Sequence, residues 1–248
     1  MCIRDRYKED IEPFLRHGSA ICFAHGFAVT FGQIRPGAFD LVMVAPKGQG
    51  RALRSAYTGG SGLPCLFAVA NDSSGGARRI ALGIAKGLGC LRTGAFETTF
   101  REEALSDLFG EQAILVGGVP AMIKEAFDLL VEKGFSPEVA YFECMHELKI
   151  IVDLLIDRGI AGMRELISGT AAFGGLKYGE QLVSSEISDG MRRMFERIES
   201  GEFAREWLED AAGGAKELRD MMERERGLAI EKAGREVRKL FTGPEEQG

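Results

Sequence analysis

The sequence predicts an α/β segment followed by an all-helical one, and two changes of pattern carry that expectation. Before about residue 100, short apolar runs alternate with turn residues; beyond it, apolar positions recur at helical spacing almost without a break. A third feature, four acids in two pairs within the helical part, suggests what the fold is for.

The runs at 20–24, 40–45, 64–70 and 91–96 are each bounded by Gly, Pro, Asn or Asp and read as strands. Between the last two, 76–88 carries a helical stripe of Ile80, Ala81, Ile84, Ala85 and Leu88. Strands alternating with a helix predict part of a parallel sheet. Helices are then expected at 102–109, 111–116, 120–133, 137–157, 162–170, 185–200, 202–212 and 215–240. Pro120 and Pro137 stand where a first helical turn accepts proline, and Ser136 is a candidate N-cap. Ser200-Gly201 separates two amphipathic stretches. The expected organisation is an α/β domain over 1–99, a helical domain over 100–241 and a frayed tail over 242–248.

Composition narrows the function classes. The chain has 248 residues, 45% hydrophobic and 27% charged, which is ordinary for a globular protein able to bury a core. No apolar run reaches the roughly 18 residues of a membrane span. The net charge of −6 and the interleaving of Glu225, Glu231 and Glu236 through the densest basic segment argue against a nucleic-acid partner. Cys2, Cys22, Cys65, Cys90 and Cys144 form no C-x-x-C pair, so a reducing compartment, the cytoplasm, is expected.

The acids are the most informative feature. Asp107 and Glu111 are four apart, as are Glu143 and Glu147, so each pair shares a helix face. Like charges at that spacing cost roughly 0.2–0.5 kcal/mol even when exposed. The second pair is set among Val139, Ala140, Phe142, Cys144, Met145, Leu148, Ile151, Val152 and Leu154, a helix apolar on most faces and so expected to be buried. Buried carboxylates need a cation, a proton or donors. Either a divalent metal or salt bridges from Lys124, Lys149 or Arg164 would serve. Oxygen-only donors suit magnesium, calcium or manganese. His146 completes Glu143-x-x-His146, but no second Glu-x-x-His exists for a di-iron bundle, so it reads as a structural histidine. Glu102 and Glu103 begin a helix and read as solvated acids favoured by its dipole.

Other polar residues lie at strand exits. His25 follows the first strand and Lys47 the second, where ligands of α/β sheets bind. The Gly48-x-Gly50 turn could approach a phosphate or be a plain turn. Ser168, where a helix enters Gly-rich chain, could cap that helix or touch a ligand.

The segments AHGF…FGQI, VAPKG-x-G, ETTF-x-EE…DLFGEQ, YFEC-x-HELK-IVDL and SGEFAREW, taken in order from Tyr7 to Leu240, resemble ketol-acid reductoisomerase. The resemblance implies a partial Rossmann-like domain and a knotted helical C-terminal domain. It implies two magnesium ions, with Asp107 bridging, Glu111 on one ion and Glu143 and Glu147 serving the other. His25, Lys47 and Glu147 are then catalytic, His25 and Gly50 lie near NADPH, and Ser168 touches substrate. The implied substrate is 2-acetolactate or 2-aceto-2-hydroxybutyrate, isomerised and reduced toward valine and isoleucine, by a homodimer or larger homo-oligomer with an apolar helical interface. Other classes remain: a non-catalytic helical metal-binding or assembly protein, or a hydroxyacid dehydrogenase, which would need no paired acids.

The sequence departs from the family's pattern in three places, one of them Val116, where the family often carries a cysteine and changed packing rather than lost chemistry is expected. Ala172 and Phe173 replace the usual Glu and Tyr after Ser168. The family's opening G-x-G-x-x-G loop, on which the NADPH pyrophosphate rests, has no counterpart here, and the abrupt MCIRDR start fits a truncated or mis-joined reading frame. The isolated polypeptide is therefore expected to bind magnesium, bind NADPH poorly, fail to reduce acetolactate and aggregate through an uncovered sheet edge.

Overall fold

The computed structural model describes residues 6–241; the expected frayed tail and the MCIRDR junction up to residue 5 lie outside the described residues. Four strands, β1 (Ala20–Phe23), β2 (Asp40–Pro46), β3 (Cys65–Asn71) and β4 (Ala95–Glu97), form one sheet in the order β1-β2-β3-β4. The neighbours β1/β2 and β3/β4 are parallel, but β2/β3 is antiparallel, so the expected parallel sheet is in fact mixed. The link after β2 explains why. Lys47 N–H donates to Pro64 O (2.8 Å), so β3 enters beside the end where β2 leaves, pairing Pro46 with Cys65.

β2 is buried on both faces, which is why it reads as a continuous apolar run. Leu41, Met43 and Ala45 face one core with Phe39, Ala68 and Phe100, while Val42 and Val44 face another with Cys65 and Phe67. That second core is closed by the helix Ala77–Gly87, whose Ala77, Ala81 and Ala85 recur every four residues and let it lie close to the strands. The helices before it are α1 (Phe27–Thr30) and α2 (Gly50–Thr58), which makes it α3. The plain turn considered at Gly48-x-Gly50 is the start of α2. The fourth expected strand is shorter than 91–96, because Cys90–Arg92 forms a 3-10 turn first.

The helical part comprises α4 (Phe100–Gly110), α5 (Gly118–Glu132), α6 (Pro137–Tyr141), α7 (Leu148–Glu165), α8 (Gly169–Tyr178), α9 (Ser185–Glu199), α10 (Glu202–Ala212), α11 (Lys216–Arg226) and α12 (Ala229–Lys239). Ser136 caps α6 by accepting the Val139 N–H. Several boundaries differ from expectation. The helix expected at 111–116 is a π-helical turn, Glu111–Leu115, and a second one, Phe142–His146, splits the helix expected at 137–157. α7 runs through the gap expected before 162, kinked where Gly159 adopts φ 71°. The long helix expected at 215–240 is two, parted at Gly227-Leu228.

The chain forms two compact units: one reaches Gly110 and takes in Arg197–Gly214, the other takes Glu111–Glu196 and the chain from Ala215. In the second, Phe127, Ala140, Tyr141, Ile230, Ala233 and Val237 knit α5, α6 and α12 together. The expectation of a buried helix around Glu143 and Glu147 fails in this single chain. Val139, Ile150 and Val152 are exposed, and Ile156 is 78% exposed. Helical periodicity shows that apolar faces exist, not what covers them. Among the described residues no helix is long and apolar enough to cross a membrane.

Candidate functional site

The site is built where β1 and β2 end. His25 follows β1 by one residue and Lys47 follows the last residue of β2; because these strands are parallel, both side chains emerge at the same edge. The first turn of α4 is pinned against this corner. Phe100 meets Phe23 edge-on (6.3 Å between centroids), and Thr30 Oγ1 donates to Phe100 O (2.9 Å). Gly26 allows the approach: a Cβ there would lie 2.2 Å from Phe100 O. The next turn of α4 then delivers Glu103 and Asp107.

These four residues converge. His25 Nδ1 lies 3.0 Å from Glu103 Oε2 and 3.5 Å from Asp107 Oδ2. Lys47 Nζ donates to Glu103 Oε1 (3.3 Å) and Asp107 Oδ1 (2.9 Å). The Gly26 N–H donates to Glu103 Oε2 (2.7 Å). Glu103 is 1% exposed, so the expectation that it is solvated is wrong; its two oxygens are held by a backbone amide and two side chains. Glu102, one residue earlier, is exposed as expected and accepts from Thr98 Oγ1 (2.6 Å).

Burial alone pushes the Glu103 carboxyl up, but hydrogen bonds from His25 and the Gly26 N–H, with the charges of His25 and Lys47, hold it below the usual range. Burial likewise pulls the Lys47 ammonium down, yet the hydrogen bond and charge of Asp107, reinforced by Glu103, push it above the ordinary lysine range. Glu103 is therefore a fixed anion that holds His25 and Lys47 beside Asp107. Of the two carboxylates, Asp107 (31% exposed) is the one that reaches the surface, alongside the half-buried His25 and Lys47.

Donor atoms of His25, Glu103 and Asp107 lie within 4.8 Å of one another, close enough to hold a metal ion. Lys47, however, already supplies the positive charge between both carboxylates, and Glu103 is fully engaged.

The other predicted ligands lie in the second unit. Glu111 opens one π-helical turn, while Glu143 lies in the other and Glu147 directly follows it; turns of this kind recur at functional sites. Among the described residues, the carboxylates of Glu111, Glu143 and Glu147 form no hydrogen bond or ion pair. The salt-bridge alternative does not hold there: Lys124 pairs with Glu225 (2.7 Å), Lys149 with Asp153, and Arg164 Nη1 has no partner. Three unpaired, oxygen-only side chains have the chemistry of a magnesium donor set.

Ser168 caps α8, its Oγ accepting the Ala171 N–H (3.2 Å) and lying 3.1 Å from Thr170 Oγ1. Phe173, within α8 rather than a loop, is exposed beneath the Lys177 ammonium, 5.2 Å away. Gly50 begins α2 with open space where a Cβ would stand, whereas a Cβ on Gly48 would meet Leu63 at 2.7 Å. His146 is stacked on Phe241, a structural role of the kind expected. The residue that sequence reasoning missed is Glu103. Its signal was present, since Glu103, Asp107 and Glu111 form one stripe at spacings of four.

Comparison with known proteins follows the same outline. The family models "Acetohydroxy acid isomeroreductase, NADPH-binding domain" and "Ketol-acid reductoisomerase, C-terminal domain" match residues 1–94 and 100–242. Proteins named "Ketol-acid reductoisomerase (NADP(+))" from Pyrobaculum calidifontis and Pyrobaculum aerophilum are each 48% identical over 239 residues, 96% of this chain and 73% of theirs. The solved structure of an NADH-preferring ketol-acid reductoisomerase from an uncultured archean is 42% identical with a TM-score of 0.94, over 97% of this chain and 73% of that one.

Proposed function

The chain belongs to the ketol-acid reductoisomerase family, and from that premise we propose that it isomerises and reduces 2-acetolactate or 2-aceto-2-hydroxybutyrate at a site built on Asp107, Glu111, Glu143 and Glu147. The observation that carries this reading is the charged quartet of His25, Lys47, Glu103 and Asp107, which leaves one carboxylate facing outward while three more stand unpaired.

Asp107 would bridge two magnesium ions, with Glu111 on one and Glu143 and Glu147 on the other. When bound, such ions polarise the substrate's ketone and hydroxyl oxygens for alkyl migration, and NADPH supplies the hydride that follows. The protein's own part is positioning and charge. Lys47 brings positive charge, and His25 a ring N–H donor, to the lip of the site, where negative charge grows on the substrate oxygens. Glu103 keeps both side chains aimed. Glu147, whose carboxylate engages no other described group, is free to exchange a proton with the substrate. Ser168 Oγ accepts from the Ala171 N–H and shares a hydrogen bond with Thr170 Oγ1; with Thr170 as the donor, the Ser168 O–H would be left for the substrate. His25 and Gly50, at the exits of the first two strands, would face the nicotinamide cofactor.

A functional division near residue 100 accords with the spans of the two family models, and the helical part would carry the family's knot. Leu115, Val116, Ile150, Ile156, Ile160 and Leu166 of the second unit are large apolar side chains left exposed in the single chain, and exposed apolar surface of this kind often marks an interface. They support a homodimer in which Glu143 and Glu147 serve the site of a second copy.

The test is acetolactate-dependent oxidation of NADPH, with and without magnesium. Because the 248 residues contain no G-x-G-x-x-G loop, the assay is run on this chain and on the chain joined to that loop from a relative. Magnesium-dependent oxidation that Glu147→Gln abolishes is expected in at least the joined form. Magnesium binding without oxidation in either would instead favour a non-catalytic metal-binding protein.

A further inference from the structure

The turn that carries the second acid pair does not hold itself. In Phe142–His146 the helix widens by one residue, and the Glu147 N–H donates to Phe142 O, five residues back (3.2 Å). If the turn relaxed to ordinary α geometry, everything after it would rotate by about 100° against everything before it. Glu143 and Glu147 would still share a face, but at a different angle to each other and to Tyr141. Contacts outside the helix must therefore select the wider form.

Those contacts come from α12 and its continuation. Gly234 lies so close to the Tyr141 ring that a Cβ there would fall 2.6 Å from Cε2. Arg238 Nη1 donates to Tyr141 Oη (3.1 Å), just before the turn. Past the end of α12, the Phe241 ring lies flat on the His146 imidazole, with centroids 5.1 Å apart and planes 13° apart. His146 meets Phe142 edge-on at 5.4 Å, and Phe142 meets Phe241 edge-on at 6.3 Å. The first and last residues of the turn are thus tied to each other and to Phe241.

We propose that α12 and Phe241 clamp this turn in its π form, with Phe241 stacked on His146 as the positioning contact for Glu143 and Glu147. The proposal rests on the reading above that these acids hold a divalent ion. Phe241 is 62% exposed and outside the buried core, so removing its ring leaves the fold intact.

The experiment uses the full chain as Phe241→Ala, Phe241→Tyr, His146→Phe and Glu147→Gln. Hydrogen exchange is followed without metal, and Mn²⁺ binding by electron paramagnetic resonance. Phe241→Ala should speed exchange at the amides of the turn, including that of Glu147, without changing exchange in β2 or α3. It should also weaken Mn²⁺ binding by about tenfold or more, as loss of a supporting contact does. Phe241→Tyr and His146→Phe keep the stacked rings and should match the wild type in both measurements. Unchanged exchange at the turn in Phe241→Ala overturns the clamp, whatever happens to the ion. Loss of Mn²⁺ binding in His146→Phe without faster exchange also overturns it, because the imidazole nitrogen would then be acting directly. Undiminished Mn²⁺ binding in Glu147→Gln would instead sink the metal reading, and the exchange data would still decide the clamp.

Discussion

The two compact units treat their charged residues in opposite ways. In the α/β unit, Glu103 is buried and each of its oxygens is engaged, and Lys47 and His25 are shared between it and Asp107. In the helical unit, Glu111, Glu143 and Glu147 carry no partner among the described residues, and large apolar side chains lie open beside them. The first arrangement is electrostatically complete within one chain. On the reading proposed above, the second would be completed by a cation for the acids and a second surface for the apolar residues. Stability and activity should therefore part company between the units.

The largest effects test that separation. Glu103→Gln places an amide N–H₂ among groups that all donate, so the α/β unit should lose about 1–3 kcal/mol of stability together with turnover. Glu147→Gln should abolish turnover and leave the calorimetric unfolding midpoint of the metal-free protein unmoved. If both variants shift the midpoint equally, the contrast is false.

Gly26→Ala probes the same corner without touching a charge. Its Cβ would press on Phe100 O, so α4 must back away at a cost of about 1–3 kcal/mol. Turnover should fall more than stability does, because Glu103 and Asp107 move with the helix. Unaltered activity in a stable Gly26→Ala protein would show that the close approach does not matter.

On the helical side, Ile156→Lys changes a fully exposed position and should leave the chain's fold alone. It should weaken self-association by about tenfold or more, since an ammonium would be buried without a partner. Sedimentation velocity over a range of concentrations reads this directly. A dimer that persists unchanged would place the interface elsewhere. The smallest effect belongs to Glu102→Gln, an exposed acid next to the buried one, which should alter stability by no more than about 0.5 kcal/mol and turnover hardly at all.

Much of the fold was legible, and the failures have physical causes. Alternation bounded by Gly and Pro located the first three strands, and the Ser200-Gly201 break located α10 with both ends correct. The antiparallel β2/β3 pairing was not legible, because it depends on where α2 returns the chain. The two π-helical turns were hidden for a different reason: acids four apart look the same whether the turn is α or π. Apolar residues all round 139–156 were read as burial, yet the pattern cannot distinguish a core from a surface waiting for a partner. Within the site, His25, Lys47 and Asp107 were found from strand exits and acid spacing. Glu103 was missed because an acid in a first helical turn ordinarily needs no explanation beyond the helix dipole.

Asp107, the more exposed of the two carboxylates in the quartet, is expected to be an ion ligand rather than only the partner of Lys47. Titration of magnesium into the wild-type chain and into Asp107→Asn, followed by isothermal calorimetry, tests it most directly. Asparagine keeps the shape and can still accept from Lys47 but has lost the charge, so saturable binding to the wild type should be lost or weakened by about tenfold or more in the variant. Equal binding by the two proteins would contradict the assignment.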